Sequence, residues 1–110
     1  MQISVRQAGE AHVIDVTGDI DLYNSPEARK AILETLRDKK AQRVIVNLKN
    51  VRYIDSSGVA SLVEGLKVSR TLNVKFILYG LSPAAREVLE LSRLIKVFDV
   101  CESEEDALKL

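Results

Sequence analysis

The sequence has one cysteine, no tryptophan and only two prolines among its 110 residues. A lone cysteine can neither form an internal disulfide nor by itself hold a structural zinc ion. No apolar run approaches the ~20 residues of a membrane-spanning helix, and residues 1–7 lack the apolar core of a signal peptide. These absences predict a cytoplasmic protein with no membrane span and no metal.

The chain also lacks an excess of charge of either sign. Its 16 basic residues cancel its 16 acidic residues, and hydrophobic residues make up 46% of the total. Binding to a nucleic-acid backbone needs a basic excess or a dense basic stripe, so direct nucleic-acid binding is not expected. The length suits one domain over residues 1–110 that buries a core of its own.

What the sequence does contain is an alternation of short apolar segments with amphipathic ones. Five segments are predicted strands: residues 2–7, 11–18, 43–48, 75–79 and 97–100. Four helices are predicted to begin near residues that favour N-terminal caps: Asn24 or Ser25, Ser57, Ser82 and Ser103. Lys39 is assigned to the polar face of the first helix. The order β-β-α-β-α-β-α-β-α predicts an α/β fold, a mixed β-sheet with helices packed mainly on one face.

The most informative segment joins the central strand to the second helix, and it reads Asp55-Ser56-Ser57-Gly58. The first N–H groups of a helix have no partner within the helix and carry partial positive charge, which suits an anion, including a phosphate on a serine. A plain helix cap also explains the segment, because Asp and Ser are preferred at that position. However, one cap needs one side chain, and this segment is more polar than that. The segment is therefore a candidate phosphorylation switch, with the plain cap as the alternative.

Three segments give the chain a resemblance to a known family. They are Gly18-Asp19-Ile20-Asp21 after the second strand, Val46-Asn47-Leu48 followed by Tyr53-Ile54-Asp55-Ser56-Ser57-Gly58, and Leu81-Ser82-Pro83 after the fourth strand. With them the chain resembles the STAS domains, and specifically the stand-alone anti-sigma factor antagonists of bacterial sporulation and general stress pathways. The resemblance covers essentially the whole chain, and the Asp-Ser-Ser-Gly segment is its most specific part.

The resemblance implies a regulator of transcription that works by partner switching. In antagonists of this kind, the serine directly after the aspartate is phosphorylated by an anti-sigma factor that is also a protein kinase, and that serine corresponds to Ser56. The unphosphorylated protein binds the anti-sigma factor and frees the sigma factor, and a protein phosphatase resets the cycle. No cofactor is implied by the residues present.

The resemblance also implies a partner-binding surface around this serine. Its predicted members are Asp21, Asp55, Ser56, Ser57 and Gly58. Val59 and Leu62 fit either this surface or the core. The acid at position 21 is expected near the serine loop, although a solvated turn explains it equally well.

Other functions fit parts of the sequence. A hydrolase would need a base beside Ser56, but His12 is the only histidine and no Gly-x-Ser-x-Gly segment occurs, so no enzymatic activity is predicted. A receiver domain phosphorylated on Asp55 should begin β-α, whereas this chain is predicted to begin β-β. Within the STAS fold, a non-catalytic scaffold of a signalling assembly or a subunit of a lipid-transport complex remains open.

Overall fold

The computed structural model describes residues 1–38 and 40–110, so Lys39, assigned above to the first helix, lies outside the described residues. The strands are β1 (Gln2–Ala8), β2 (Ala11–Thr17), β3 (Arg43–Asn50), β4 (Lys75–Tyr79) and β5 (Asp99–Cys101). The helices are α1 (Ser25–Leu36), α2 (Ser56–Leu72), α3 (Pro83–Leu91) and α4 (Glu104–Lys109). The predicted order of elements is confirmed. None of the described helices is long and apolar enough to cross a lipid bilayer.

The strands form one mixed sheet in the order β1-β2-β3-β4-β5. β1 and β2 pair antiparallel as a hairpin, and Gly9 has the positive φ of 62° that its turn requires. All other neighbouring strands are parallel, and residues 13, 45 and 77 lie side by side across β2, β3 and β4. Because these three strands run in one direction, the loops that follow them meet at one edge of the sheet.

The larger core lies between one face of the sheet and helices α1, α2 and α3. The sheet contributes alternating residues such as Ile14, Val46 and Leu78, which are fully buried, and the helices contribute Ile32, Leu62 and Leu89 among others. The sequence pattern explains this layer, because one apolar side of each helix covers one side of each strand.

The smaller core lies on the opposite face, beneath α4. Val13, Ile45 and Ile77 are fully buried there, together with Ala107 of α4. The prediction that helices pack mainly on one face is therefore confirmed, with α4 as the exception.

Polar contacts hold α4 at both of its ends. The Arg6 guanidinium binds the Glu104 carboxylate and, at 2.7 Å, the Asp15 carboxylate. The Tyr79 hydroxyl donates to Glu104 at 3.2 Å, and the Arg43 guanidinium donates to the carbonyl oxygen of Leu108. Because α4 has only six residues and buries little apolar area apart from Ala107, these polar contacts help to hold it on the sheet.

Two predicted boundaries differ from the structure. The last strand is Asp99–Cys101 and not 97–100, because the turn that ends α3 extends through Val97, whose amide donates to the carbonyl of Leu94. The helix α2 begins at Ser56, one residue earlier than expected. The other strand ends differ from the prediction by two residues at most.

Candidate functional site

The candidate site forms where three loops meet at the carboxyl ends of β2, β3 and β4. Ile20 pairs with Ile54 in a short parallel bridge, and the amide of Asp55 donates to the carbonyl of Ile20 at 3.1 Å. The Ser82 hydroxyl caps α3 and also donates to the carbonyl of Arg52 at 2.8 Å. Residues 18–24, 51–55 and 80–82 are thus joined by hydrogen bonds.

Asp55 is the N-terminal cap of α2. Its Oδ1 accepts hydrogen bonds from the amides of Ser57 at 2.9 Å and Gly58 at 3.1 Å, and from the Ser57 hydroxyl at 2.5 Å. Its Oδ2 accepts from the amide of Leu22 at 3.0 Å, which connects the cap to the neighbouring loop. The Ser57 hydroxyl and then the amides of Gly58, Ser57 and Leu22 hold the pKa of this carboxyl below its usual range, so it is ionised at neutral pH.

This geometry corrects one expectation about the helix N-terminus. The amides of Ser57 and Gly58 were expected to be open to an anion, but the Asp55 carboxylate already accepts from both. The macrodipole at this end is likewise already facing a negative charge. A phosphate on Ser56 would therefore lie beside an ionised carboxylate, with its charge directed to solvent or to a partner.

The two neighbouring serines have different environments. Ser56 is exposed at the first position of α2, and its hydroxyl makes no hydrogen bond within residues 1–38 and 40–110. Ser57 is half-buried, and its hydroxyl donates to Asp55. Of the two, Ser56 is the hydroxyl that an external enzyme can reach.

Asp21 lies in the loop that contacts Asp55, so the structure brings this predicted residue to the site. Its Oδ1 accepts from the amides of Tyr23 at 3.0 Å and Asn24 at 3.2 Å, which shapes a turn before α1. Asn24 or Ser25 is predicted to cap α1, but the Asn24 side chain accepts from the amide of Asp21 and donates to the carbonyl of Asp19 instead. Local bonds within the loop satisfy this amide and leave α1 without a side-chain cap.

The remaining predicted residues lie beneath the surface of the site. Gly58 is buried, and a Cβ added to it would lie 2.6 Å from Ile54 Cγ2 and 2.9 Å from Ile20 Cγ2. Leu62 is fully buried in the larger core, and Val59 is nearly so. Gly58 thus lets the first turn of α2 approach both loops closely, while a direct contact of Gly58 with a partner stays a prediction.

Three exposed apolar side chains beside the site were not predicted. Leu22 is 71% exposed and Tyr23 is 94% exposed, and both precede α1 in the loop bound to Asp55. Tyr53, two residues before Asp55, is half exposed. The available signal in the sequence was the presence of large apolar side chains in a predicted turn. A turn offers such side chains no core to enter, and exposed apolar side chains that cluster mark interaction surfaces.

Comparisons with known proteins identify relatives of the whole chain. The family model of the STAS domain matches residues 2–107. An anti-sigma-B factor antagonist of Listeria monocytogenes is 28% identical over 101 residues, which cover 91% of this chain and 88% of that protein.

Two solved structures illustrate the shared fold. An anti-sigma factor antagonist from Mycobacterium paratuberculosis superposes with a TM-score of 0.86 at 24% identity, over 98% of this chain and 91% of that one. The Bacillus cell fate determinant SpoIIAA in its phosphorylated form gives 0.74 at 23% identity, over 98% and 97% of the two chains. Because the family model matches nearly the whole sequence, the chain belongs to the STAS domain family.

Proposed function

We propose that this protein is a cytoplasmic anti-sigma factor antagonist that binds an anti-sigma factor while Ser56 is unmodified. The anti-sigma factor is also the serine kinase that phosphorylates Ser56, and a phosphatase reverses the modification. The protein is a substrate and a binding module without chemistry of its own. The observation that carries the proposal is the free, exposed Ser56 hydroxyl beside the ionised Asp55 cap.

The charge change supports a switch in affinity. Phosphorylation adds roughly −1.5 to −2 charge at neutral pH. Because the Asp55 carboxylate accepts from the amides of Ser57 and Gly58, these amides are not free to bind the new phosphate. A partner surface that accepts a neutral hydroxyl would meet a dianion instead. A loss of about 3 to 4 kcal/mol at this contact weakens binding by a few hundredfold.

The surroundings of Ser56 support a protein partner. Tyr23, Tyr53 and Leu22 are exposed beside Asp55, and large aromatic side chains are enriched among residues that dominate binding energy at protein interfaces. The curated Listeria relative is named an anti-sigma-B factor antagonist, and a Bacillus relative has been solved in a phosphorylated form. Asp21, whose carboxylate shapes the Tyr23 turn, positions part of this surface.

The test compares three forms of the protein against the anti-sigma factor that copurifies with it from native cells. The wild type should bind and accept phosphate from ATP on Ser56, as mapped by mass spectrometry, and the phosphorylated form should bind a few hundredfold more weakly. Ser56→Ala should bind without being switched. Ser57→Ala is the matched control, and it should still be phosphorylated on Ser56.

Two results would contradict the proposal. Equal affinity of the wild type, Ser56→Ala and the phosphorylated protein for the anti-sigma factor would remove the switch. Copurification with transporter or scaffold subunits, with Ser56 unmodified under several growth conditions, would favour the scaffold or lipid-transport alternative.

A further inference from the structure

The helix α2 presents an exposed side that continues away from Ser56. Ala60 and Val63 follow at the fourth and seventh positions after Ser56, and Lys67 follows at the eleventh, so all four lie along one side of the helix. Ala60 and Lys67 are exposed and Val63 is half-buried. At 1.5 Å per residue this row is about 16 Å long.

The row forms one wall of a groove of about 520 Å³, and Leu94 forms the other wall. Leu94 follows α3 in a tight turn in which Arg93 has a positive φ of 61°. The amides of Leu94 and Ile95 both donate to the carbonyl of Leu89, at 2.8 and 3.1 Å. The backbone therefore fixes the position of this apolar wall opposite α2.

The other flank of α2 is already occupied by α1. The Ser61 hydroxyl donates to the carbonyl of Ser25 at 3.2 Å, and the Arg29 guanidinium binds the Glu64 carboxylate at 2.7 Å. Glu64 also lines the groove, but its charge is compensated by this ion pair. Lys67 forms no ion pair with any residue in the described ranges 1–38 and 40–110, which leaves a cation at the end of the groove away from Ser56.

We infer that this groove takes an amphipathic helix of the same anti-sigma factor that modifies Ser56. The inference rests on the proposed function, because Ser56 lines the groove and makes it continuous with the phosphorylation site. The apolar side of the bound helix faces Ala60, Val63 and Leu94, and an acidic residue faces Lys67. A row of small and apolar residues opposite a second apolar wall is the geometry in which proteins bind amphipathic helices.

The groove explains how one phosphate could act on a large contact area. A dianion on Ser56 would stand at the mouth of the groove, against the apolar side of the bound helix. Burying a charge against an apolar surface without a partner is costly, so the helix would leave the groove.

The test places charges of both signs at Ala60 and measures affinity for the anti-sigma factor. Ala60→Glu and Ala60→Lys should each weaken binding by about tenfold or more, since either side chain fills the groove with a charged group. Leu72→Glu and Leu72→Lys are the controls, because Leu72 is exposed on the same helix outside the groove, about 120° around the helix axis from Ala60. Both controls should bind like the wild type.

Circular dichroism and thermal unfolding establish that the Ala60 variants fold. Photo-crosslinking is a second test, and it reports contact with the partner directly instead of affinity. A photo-crosslinking amino acid at position 60 should attach to the anti-sigma factor, whereas the same probe at position 72, on another side of the helix, should not.

The failure of this inference can be told apart from the failure of the proposed function. Full affinity of both Ala60 variants, with Ser56 phosphorylation still releasing the partner, would overturn the groove and leave the switch intact. No binding and no phosphorylation of the wild type would overturn the switch itself.

Discussion

Asp55 connects two loops through a single carboxylate, with Oδ1 on α2 and Oδ2 on the amide of Leu22. Hydrogen bonds from the Ser57 hydroxyl and nearby amides lower the pKa of this carboxyl in the folded protein. A lowered pKa means that the ionised form contributes stability above the unfolded pKa of about 4, and that this contribution is lost as the pH falls through the folded pKa.

We predict that Asp55→Asn lowers the urea midpoint of unfolding at pH 7, because a neutral amide is a weaker acceptor for the Leu22 and Ser57 donors. The difference between wild type and variant should shrink as the pH falls below about 4, because the carboxyl is then protonated in the unfolded chain while the folded protein still holds it ionised. Comparing the two proteins cancels the titration of all other carboxylates. A difference that stays constant from pH 7 to pH 3 would contradict this role of the charge.

A side chain at Gly58 would collide with both loops that pack against the first turn of α2. A Cβ added to Gly58 would lie 2.6 Å from Ile54 Cγ2 and 2.9 Å from the carbonyl oxygen of Ile20, which is too close for either neighbour. We predict that Gly58→Ala lowers the free energy of unfolding by about 1 to 3 kcal/mol, the usual range for overpacking. Ser56→Ala in the same turn is the control and should be close to neutral. Equal stability of both variants would contradict this packing.

At the scale of the elements, α4 is the part of the fold that depends most on polar contacts. Arg6 binds both Asp15 and Glu104, and it lowers the pKa of both carboxyls. These groups are partly exposed, so solvent weakens each pair to about 0–1 kcal/mol. A six-residue helix is too short to persist in water by itself.

We predict that Arg6→Gln makes the amides of α4 exchange with deuterium about fivefold faster, which corresponds to about 1 kcal/mol of lost local stability. Lys109→Gln removes only an exposed pair with Glu105 within α4, and it should leave the exchange unchanged. Unchanged exchange in Arg6→Gln would show that the apolar contacts of Ala107 hold α4 without the arginine.

The sequence predicted most elements because their patterns have a single interpretation. Residues 43–48 are nearly all apolar, and Val59, Leu62 and Leu66 repeat with a helical period. The strand predicted over residues 97–100 began too early, because two apolar residues precede the actual strand. Phe98 is buried in the core, whereas Val97 lies exposed in a turn. Apolar character alone does not distinguish a strand from a turn that anchors one side chain.

The site was predictable in outline and not in its hydrogen bonds. Three loops follow three parallel strands, so their meeting follows from topology. The Asp55 carboxylate, and not an external anion, accepts from the first amides of α2. This depends on the Asp55 rotamer and on the neighbouring Leu22 amide, and no local sequence pattern specifies either of them. The exposed Tyr23 likewise requires the turn that Asp21 forms.

At the scale of the whole molecule, the proposed switch needs no change of fold. The loops beside Ser56 are anchored through Ile20, Ile54 and Ser82, and α4 packs on the opposite face of the sheet. We predict that phosphorylation of Ser56 shifts the backbone amide NMR signals of residues 18–24 and 51–60, and leaves those of α4 unchanged. Shifts spread over β5 and α4 would show a global rearrangement instead.

The bond between the hydroxyl of Ser57 and Asp55 has a consequence for the kinase. Ser57 is half-buried and turned toward Asp55, whereas Ser56 is exposed, so the folded substrate itself favours modification of Ser56. On the proposed mechanism, even a kinase with loose sequence preference would add one phosphate per chain. The regulator then has two phosphorylation states, whereas two modifiable serines would give four. Its output therefore depends on the fraction of chains that carry the phosphate, with no partly modified form.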